Sequence, residues 1–120
     1  MLFLCYFYSL NVIMWKSNPP QSGYYAVIFS STKSDDLAGY EEMDELTMKL
    51  AQEQEGFLGF ESCSNGNKGI FVSYWQSMEH INVWRNNMTH LKAKSNAKQW
   101  YKRYLSQICK VEHSHLFESK

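Results

Sequence analysis

Tyr24-Tyr25-Ala26-Val27-Ile28-Phe29 is a run of six apolar residues that predicts a strand with no polar face. Strand side chains alternate between two faces, so Tyr25, Val27 and Phe29 share one side and Tyr24, Ala26 and Ile28 the other. Ile70-Phe71-Val72-Ser73-Tyr74-Trp75 repeats the pattern with one small polar break. Both faces of the sheet therefore need cover. Between these strands, Tyr40, Met43, Leu46, Thr47, Leu50 and Ala51 fall on one helical face. Glu41, Glu42, Asp44, Glu45, Lys49, Gln52 and Glu53 lie away from it, and Gly56 ends the helix. The polar stretch from Ser30 to Asp36 supplies helix-capping candidates.

Phe57 to Cys63 reads as a strand, and Asn65-Gly66 is the pair a tight type I′ hairpin prefers, while Asn67, Lys68 and Gly69 also suit a longer turn. Ser77 can cap a second helical region with the stripe Ile81, Trp84 and Met88, interrupted near Asn86-Asn87. A further helix carries Leu91, Ala97, Trp100, Tyr101 and Tyr104. The last strand is expected from Gln107 to Phe117, with Cys109, Val111, His113, His115 and Phe117 on one face.

The order is βαββαβ, which builds an α+β, ferredoxin-like domain: a four-stranded antiparallel sheet with both crossover helices on one face. The other face is left open. Large apolar side chains there are worth about 1.5–3 kcal/mol each when buried, and a patch of that size is unusual on a monomer. A homodimer closed through the open sheet face is the predicted solution.

The domain is expected over residues 23–117, followed by a short tail at 118–120 and preceded at 1–22 by an extension and a linker. The apolar start, Met1 to Met14, is too short for a membrane span and lacks the basic start of a signal peptide. It reads either as an added strand or packed tail, or as a translation start set upstream of a true one at Met14, with the second favoured. Twelve basic residues against twelve acidic ones leave no surplus for phosphates, so a nucleic-acid partner is not expected, nor a membrane one. Three cysteines without metal-ligand spacing suit reduced thiols in a cytoplasmic protein, with Cys63 and Cys109 expected to be buried and inert. His113 and His115 share a strand face, but two ligands do not make a metal site, even with Glu61 nearby.

Several segments carry a family likeness. Tyr24 to Ser31, Gly39-Tyr40 with Met43 and Leu50-Ala51, Gly56 to Ser62, Gly69 to Trp75, then Trp84, His90, Ala93 and Trp100-Tyr101 resemble the antibiotic biosynthesis monooxygenase family of dimeric α+β barrels, in particular a bacterial subgroup of uncharacterised small proteins. The resemblance spans about residues 23–117. It implies a cofactor-free monooxygenase acting on a small aromatic or quinol-like molecule, in a pocket between sheet and helices. Such chemistry needs a proton acceptor and donors for a developing oxyanion. His90 and Trp84 are the catalytic candidates, with Tyr74, Trp75 and Tyr101 as pocket walls. The alternative is a non-catalytic ligand-binding or stress-related module of the same fold. A haem-degrading activity is disfavoured, because the tenth position after Trp84 is Lys94 rather than the expected His, and the first strand offers no Asn. Neither a metal nor an organic cofactor is expected.

Overall fold

The computed structural model describes residues 10–93 and 97–120. Strand β1 (Leu10–Trp15) precedes β2 (Tyr24–Lys33), helix α1 (Tyr40–Glu53), β3 (Phe57–Asn65), β4 (Lys68–Trp75) and α2 (Met78–Ala93). A single 3₁₀ turn, Ala97–Trp100, then leads into β5 (Tyr101–Val111). One five-stranded antiparallel sheet results, in the order β1-β3-β4-β2-β5. Without β1, the remaining order is that of the ferredoxin-like βαββαβ unit. β1 adds a strand at the β3 edge, pairing Leu10 through Trp15 with Ser64 through Gly59. The rest of the apolar start, residues 1–9, lies outside the described residues.

The core lies between one sheet face and the two helices. Phe57, Phe60 and Trp75 from the sheet meet Ala51 of α1 and Ile81, Trp84 and Met88 of α2. The i, i+3, i+7 spacing of the last three puts them on one side of α2. Trp75 is completely buried, stacks on Trp84 at 5.7 Å between ring centroids and meets Phe57 edge to face at 5.4 Å. A buried indole N–H must find an acceptor. Trp75 Nε1 donates to Ser73 Oγ at 2.8 Å. The one polar break in the β4 run is thus the partner of its largest side chain.

α2 runs unbroken through Asn86-Asn87. Ser77 caps it: its Oγ accepts the His80 N–H at 3.2 Å and lies 2.7 Å from His80 Nδ1. The His80 ring rests against Gly56, which has φ +83° and no room for a Cβ beside that ring. α1 uses neither Ser34 nor Asp36 as its cap. It starts after Gly39, at φ +82° with no side-chain cap, because β2 continues to Lys33 and occupies the stretch expected to turn.

The β3–β4 hairpin differs in register from the expected one. Asn65 pairs with Lys68, so the two turn residues are Gly66 and Asn67. Gly66 has φ +61° while no described non-glycine residue has positive φ, which suits a II′ turn rather than I′.

The largest correction falls near the C-terminus. Tyr101 and Tyr104 belong to a strand, not a helix, and β5 ends at Val111. The register of β2 explains the shift: Thr32 and Ser31 need partners, and Arg103 and Tyr104 supply them. His113, His115 and Phe117 therefore lie beyond the strand. Residues 112–120 run without regular structure, tied to the β1–β2 loop by Ser114, whose N–H donates to Gln21 O at 2.8 Å and whose hydroxyl donates to Pro20 O at 2.6 Å.

Candidate functional site

Register decides which residues can meet. On the helix side stand Tyr25, Val27 and Phe29 of β2, Phe71, Ser73 and Trp75 of β4, and Tyr104, Ser106 and Ile108 of β5. On the open side stand Tyr24, Ala26 and Ile28, then Ile70, Val72 and Tyr74, with Leu105, Gln107 and Cys109. Of the sequence-selected residues whose side chains are described, Trp75 and Trp84 meet, while Tyr74 and Tyr101 stand apart from them. Trp75 and Trp84 are core. Tyr74 points the opposite way from Trp75, onto the open side. Tyr101 sits at the start of β5, and His90 falls on α2 with its side chain outside the described residues.

Tyr101 nevertheless anchors a group of interest at that end of the helix side. Phe29 lies 5.4 Å from both Tyr101 and Tyr104, and the two tyrosines are 5.7 Å apart. Tyr40, first residue of α1, meets Trp100 at 5.5 Å and Tyr101 at 6.4 Å, both edge to face. Trp100 is held in turn by its indole N–H, which donates to Ala38 O at 2.8 Å. The Lys33 ammonium stands 5.5 Å over the Tyr40 ring.

Into this aromatic group α1 directs Asp44, a side chain whose sequence position suggested the outer face. The inward stripe runs Tyr40, Asp44, Thr47, Met48 and Ala51, with Met43 and Leu50 half-buried beside it and Leu50 packed on the core, while Leu46 turns outward and is 39 % exposed. That i, i+4, i+7, i+8, i+11 series starting at Tyr40 was available in the sequence, but the leucine masked it. Burial raises the Asp44 carboxyl above its ordinary range, Lys33 pulls it down, and Glu45 adds to the rise. Tyr101 is pushed up to about 12, first by burial and then by the charge of Asp44, against a hydrogen bond with Tyr40 that favours the phenolate. The group thus combines a carboxylate made more basic, a phenol held protonated at neutral pH, and a nearby ammonium.

The open side carries two clefts. One is bounded by Ser30, Cys63, Ile70 and Arg103; the other, of about 510 Å³, is bounded by Trp15, Tyr24, Glu61 and Tyr74 beneath Leu116–Glu118. Cys63 and Cys109 are both exposed thiols rather than buried ones, because their strands turn them to the side no helix covers. Among the described residues no three His, Cys, Asp or Glu side chains come together, and no helix is long and apolar enough to cross a membrane.

Comparison with known proteins agrees with this architecture. Over 104 residues the chain is 45 % identical to the uncharacterised protein YqjZ of Bacillus subtilis strain 168, covering 85 % of this chain and 91 % of that one. Residues 23–96, from the turn before β2 through the whole of α2, match the family described as antibiotic biosynthesis monooxygenase. With that match and the α+β ferredoxin-like fold in agreement, the chain belongs to the antibiotic biosynthesis monooxygenase family.

Proposed function

We propose that this protein is a cofactor-independent monooxygenase of a small aromatic or quinol-like molecule, working as a cytoplasmic homodimer, with its chemistry at the Asp44–Tyr101 group. The observation that carries the reading is a partly buried carboxylate of raised basicity beside two phenols and an ammonium. In this scheme Asp44 removes a proton from an acidic C–H next to the substrate's carbonyl or phenolic oxygen. Tyr101, with Lys33 nearby, stabilises the resulting oxyanion. The electron-rich carbanion reduces O₂ and binds it as a peroxide. Loss of water, with the proton returned by Asp44, leaves a new carbonyl. One CH₂ and one O₂ thus become one C=O and one H₂O. His90 on α2 is a second candidate proton acceptor, while Trp84 and Trp75 belong to the core at the other end of β2.

The dimer rests on the open side, where Ile70 is 52 % and Leu105 41 % exposed beside Ile28 and Val72. Two such faces packed together would bury them and the exposed Cys63 beside Ile70.

The test is oxygen consumption by purified, metal-free protein against anthrones and hydroquinones, with Asp44→Asn and His90→Ala in parallel. Loss of uptake in Asp44→Asn with its fold intact supports the assignment. Uptake that survives in Asp44→Asn removes that residue. Tight binding of these compounds with no uptake assigns the chain to the ligand-binding class instead.

A further inference from the structure

The cleft on the open side is not part of the Asp44 group and lies across the sheet from it. Its floor is three rings drawn from three strands. Trp15 of β1 stacks on Tyr74 of β4 at 4.3 Å with 25° between planes, and Tyr24 of β2 closes the triangle at 6.3 Å from Trp15 and 6.1 Å from Tyr74. Strand β3 lies between β1 and β4, so a side chain there would normally separate Trp15 from Tyr74. The position is Gly59, where even a Cβ would fall 2.9 Å from Trp15 Cδ2. Its absence lets the indole reach across a whole strand to make the stack.

The walls have one sign of charge. Glu61, two residues along β3, and Glu118 of the tail border the cleft, with Phe117 of the tail also lining it. Among the residues lining it there is no Lys, Arg or His. The carboxylates also act on the floor: Glu61 adds to the rise of the Tyr74 phenol that burial begins, so Tyr74 stays neutral and offers a π surface rather than a charge. The roof belongs to this chain, through the Ser114 anchor to Pro20 and Gln21. Of the apolar residues exposed on this side, Ile70 and Leu105 lie toward the other end of the face, around the β3–β4 turn, while Ile13 borders the cleft itself.

Aromatic surface attracts cations through the ring quadrupole, and neighbouring carboxylates add a second attraction while repelling anions. We propose that this cleft binds a small organic cation with an apolar shell, a quaternary or alkylated ammonium, on the Trp15–Tyr24–Tyr74 floor with Glu61 as counter-charge. The volume of about 510 Å³ lies within the range of small-molecule sites. Phe117, 79 % exposed, is placed to close over the bound group.

Choline and its neutral isostere 3,3-dimethylbutan-1-ol have the same shape and differ in charge, so calorimetric titration of the full chain with each isolates the cation. Choline is expected to bind saturably, about tenfold or more tighter than the alcohol, with benzoate not competing. Glu61→Gln should weaken choline about three- to tenfold and leave the alcohol unchanged. Phe117→Ser, in an exposed segment that cannot unfold the sheet, should weaken choline as well. Asp44→Asn should leave choline binding untouched, which separates this site from the proposed oxidation. Equal affinity for choline and the alcohol, or choline binding indifferent to both Glu61→Gln and Phe117→Ser, overturns the proposal. So does the lack of saturable choline binding.

Discussion

Replacing Gly59 by alanine probes the join between β1 and the rest of the sheet. The new methyl would stand 2.6 Å from the Met14 carbonyl oxygen, 2.9 Å from Trp15 Cδ2 and 3.0 Å from Trp15 Cα. Ordinary van der Waals contact begins near 3.4 Å, so the β1 backbone must retreat by most of an ångström. It cannot do so freely, because Met14 and Trp15 sit in a six-residue ladder with β3 and Lys16 N–H donates to Leu58 O at 3.0 Å. Over-packing against backbone of this kind costs about 1–3 kcal/mol. In a domain of this size each kcal/mol lowers Tm by about 3–6 °C, so a fall of about 5–15 °C is expected. The Trp15–Tyr74 stack should separate at the same time. Thermal unfolding followed by far-UV circular dichroism reads the first effect and the near-UV aromatic signal at low temperature reads the second. Gly69→Ala is the control. Its nearest neighbour is the Lys33 ammonium at 3.2 Å, the tip of a flexible chain, so Tm should move by no more than about 2 °C. Gly59→Ala with a Tm within about 2 °C of the parent and an unchanged near-UV spectrum would mean that β1 does not pack against the bare Gly59 backbone.

Asp44 binds its proton more tightly in the folded chain than in the unfolded one. Its contribution to stability is therefore full at pH below the ordinary carboxylate range and is lost as pH rises through the raised value. Chemical unfolding of wild type and Asp44→Asn between about pH 4 and pH 7 should show the wild type losing ground to the variant as pH rises; a constant difference contradicts the burial of that carboxyl. Tyr101 should titrate late. The 295 nm absorbance difference between wild type and Tyr101→Phe should develop only as pH approaches about 12, and a phenolate appearing near the ordinary tyrosine value would place that side chain in water. Ser77→Ala removes the cap of α2 and the partner of His80 Nδ1 and should cost about 1 kcal/mol in urea unfolding; no change in midpoint would mean the cap contributes nothing.

The fold was readable where periodicity and composition pointed the same way. The doubly apolar β2 and β4 and the Ile81, Trp84, Met88 stripe of α2 stand as their patterns require. The pattern misled where two periods fit equally well. Trp100, Tyr101 and Tyr104 share a helical spacing, yet Tyr101 and Tyr104 form strand because β2 extends to Lys33 and its edge needs hydrogen-bond partners. Leu46 hid Asp44 for a related reason: on α1 two overlapping stripes share Tyr40, Thr47 and Ala51, and only tertiary packing, which seats Met48 on the core and leaves Leu46 39 % exposed, selects the one that carries Asp44. The edge strand is a third case. Leu10–Trp15 is largely apolar with no turn signal of its own, and its place beside β3 depends on Gly59 leaving room.

From the sequence alone came the order of strands and helices in the βαββαβ unit, the uncovered second sheet face and the family likeness, because alternation along a strand and stripes along a helix are local properties of the chain. Which aromatic rings would meet was decided by tertiary structure. Tyr74 and Trp75 are neighbours in sequence and stand on opposite sides of the sheet, one beside Trp15 and Tyr24, the other beside Trp84. Register, helix rotation and the path of the C-terminal tail all follow from long-range pairing, and a shift of one residue in strand register exchanges one face for the other.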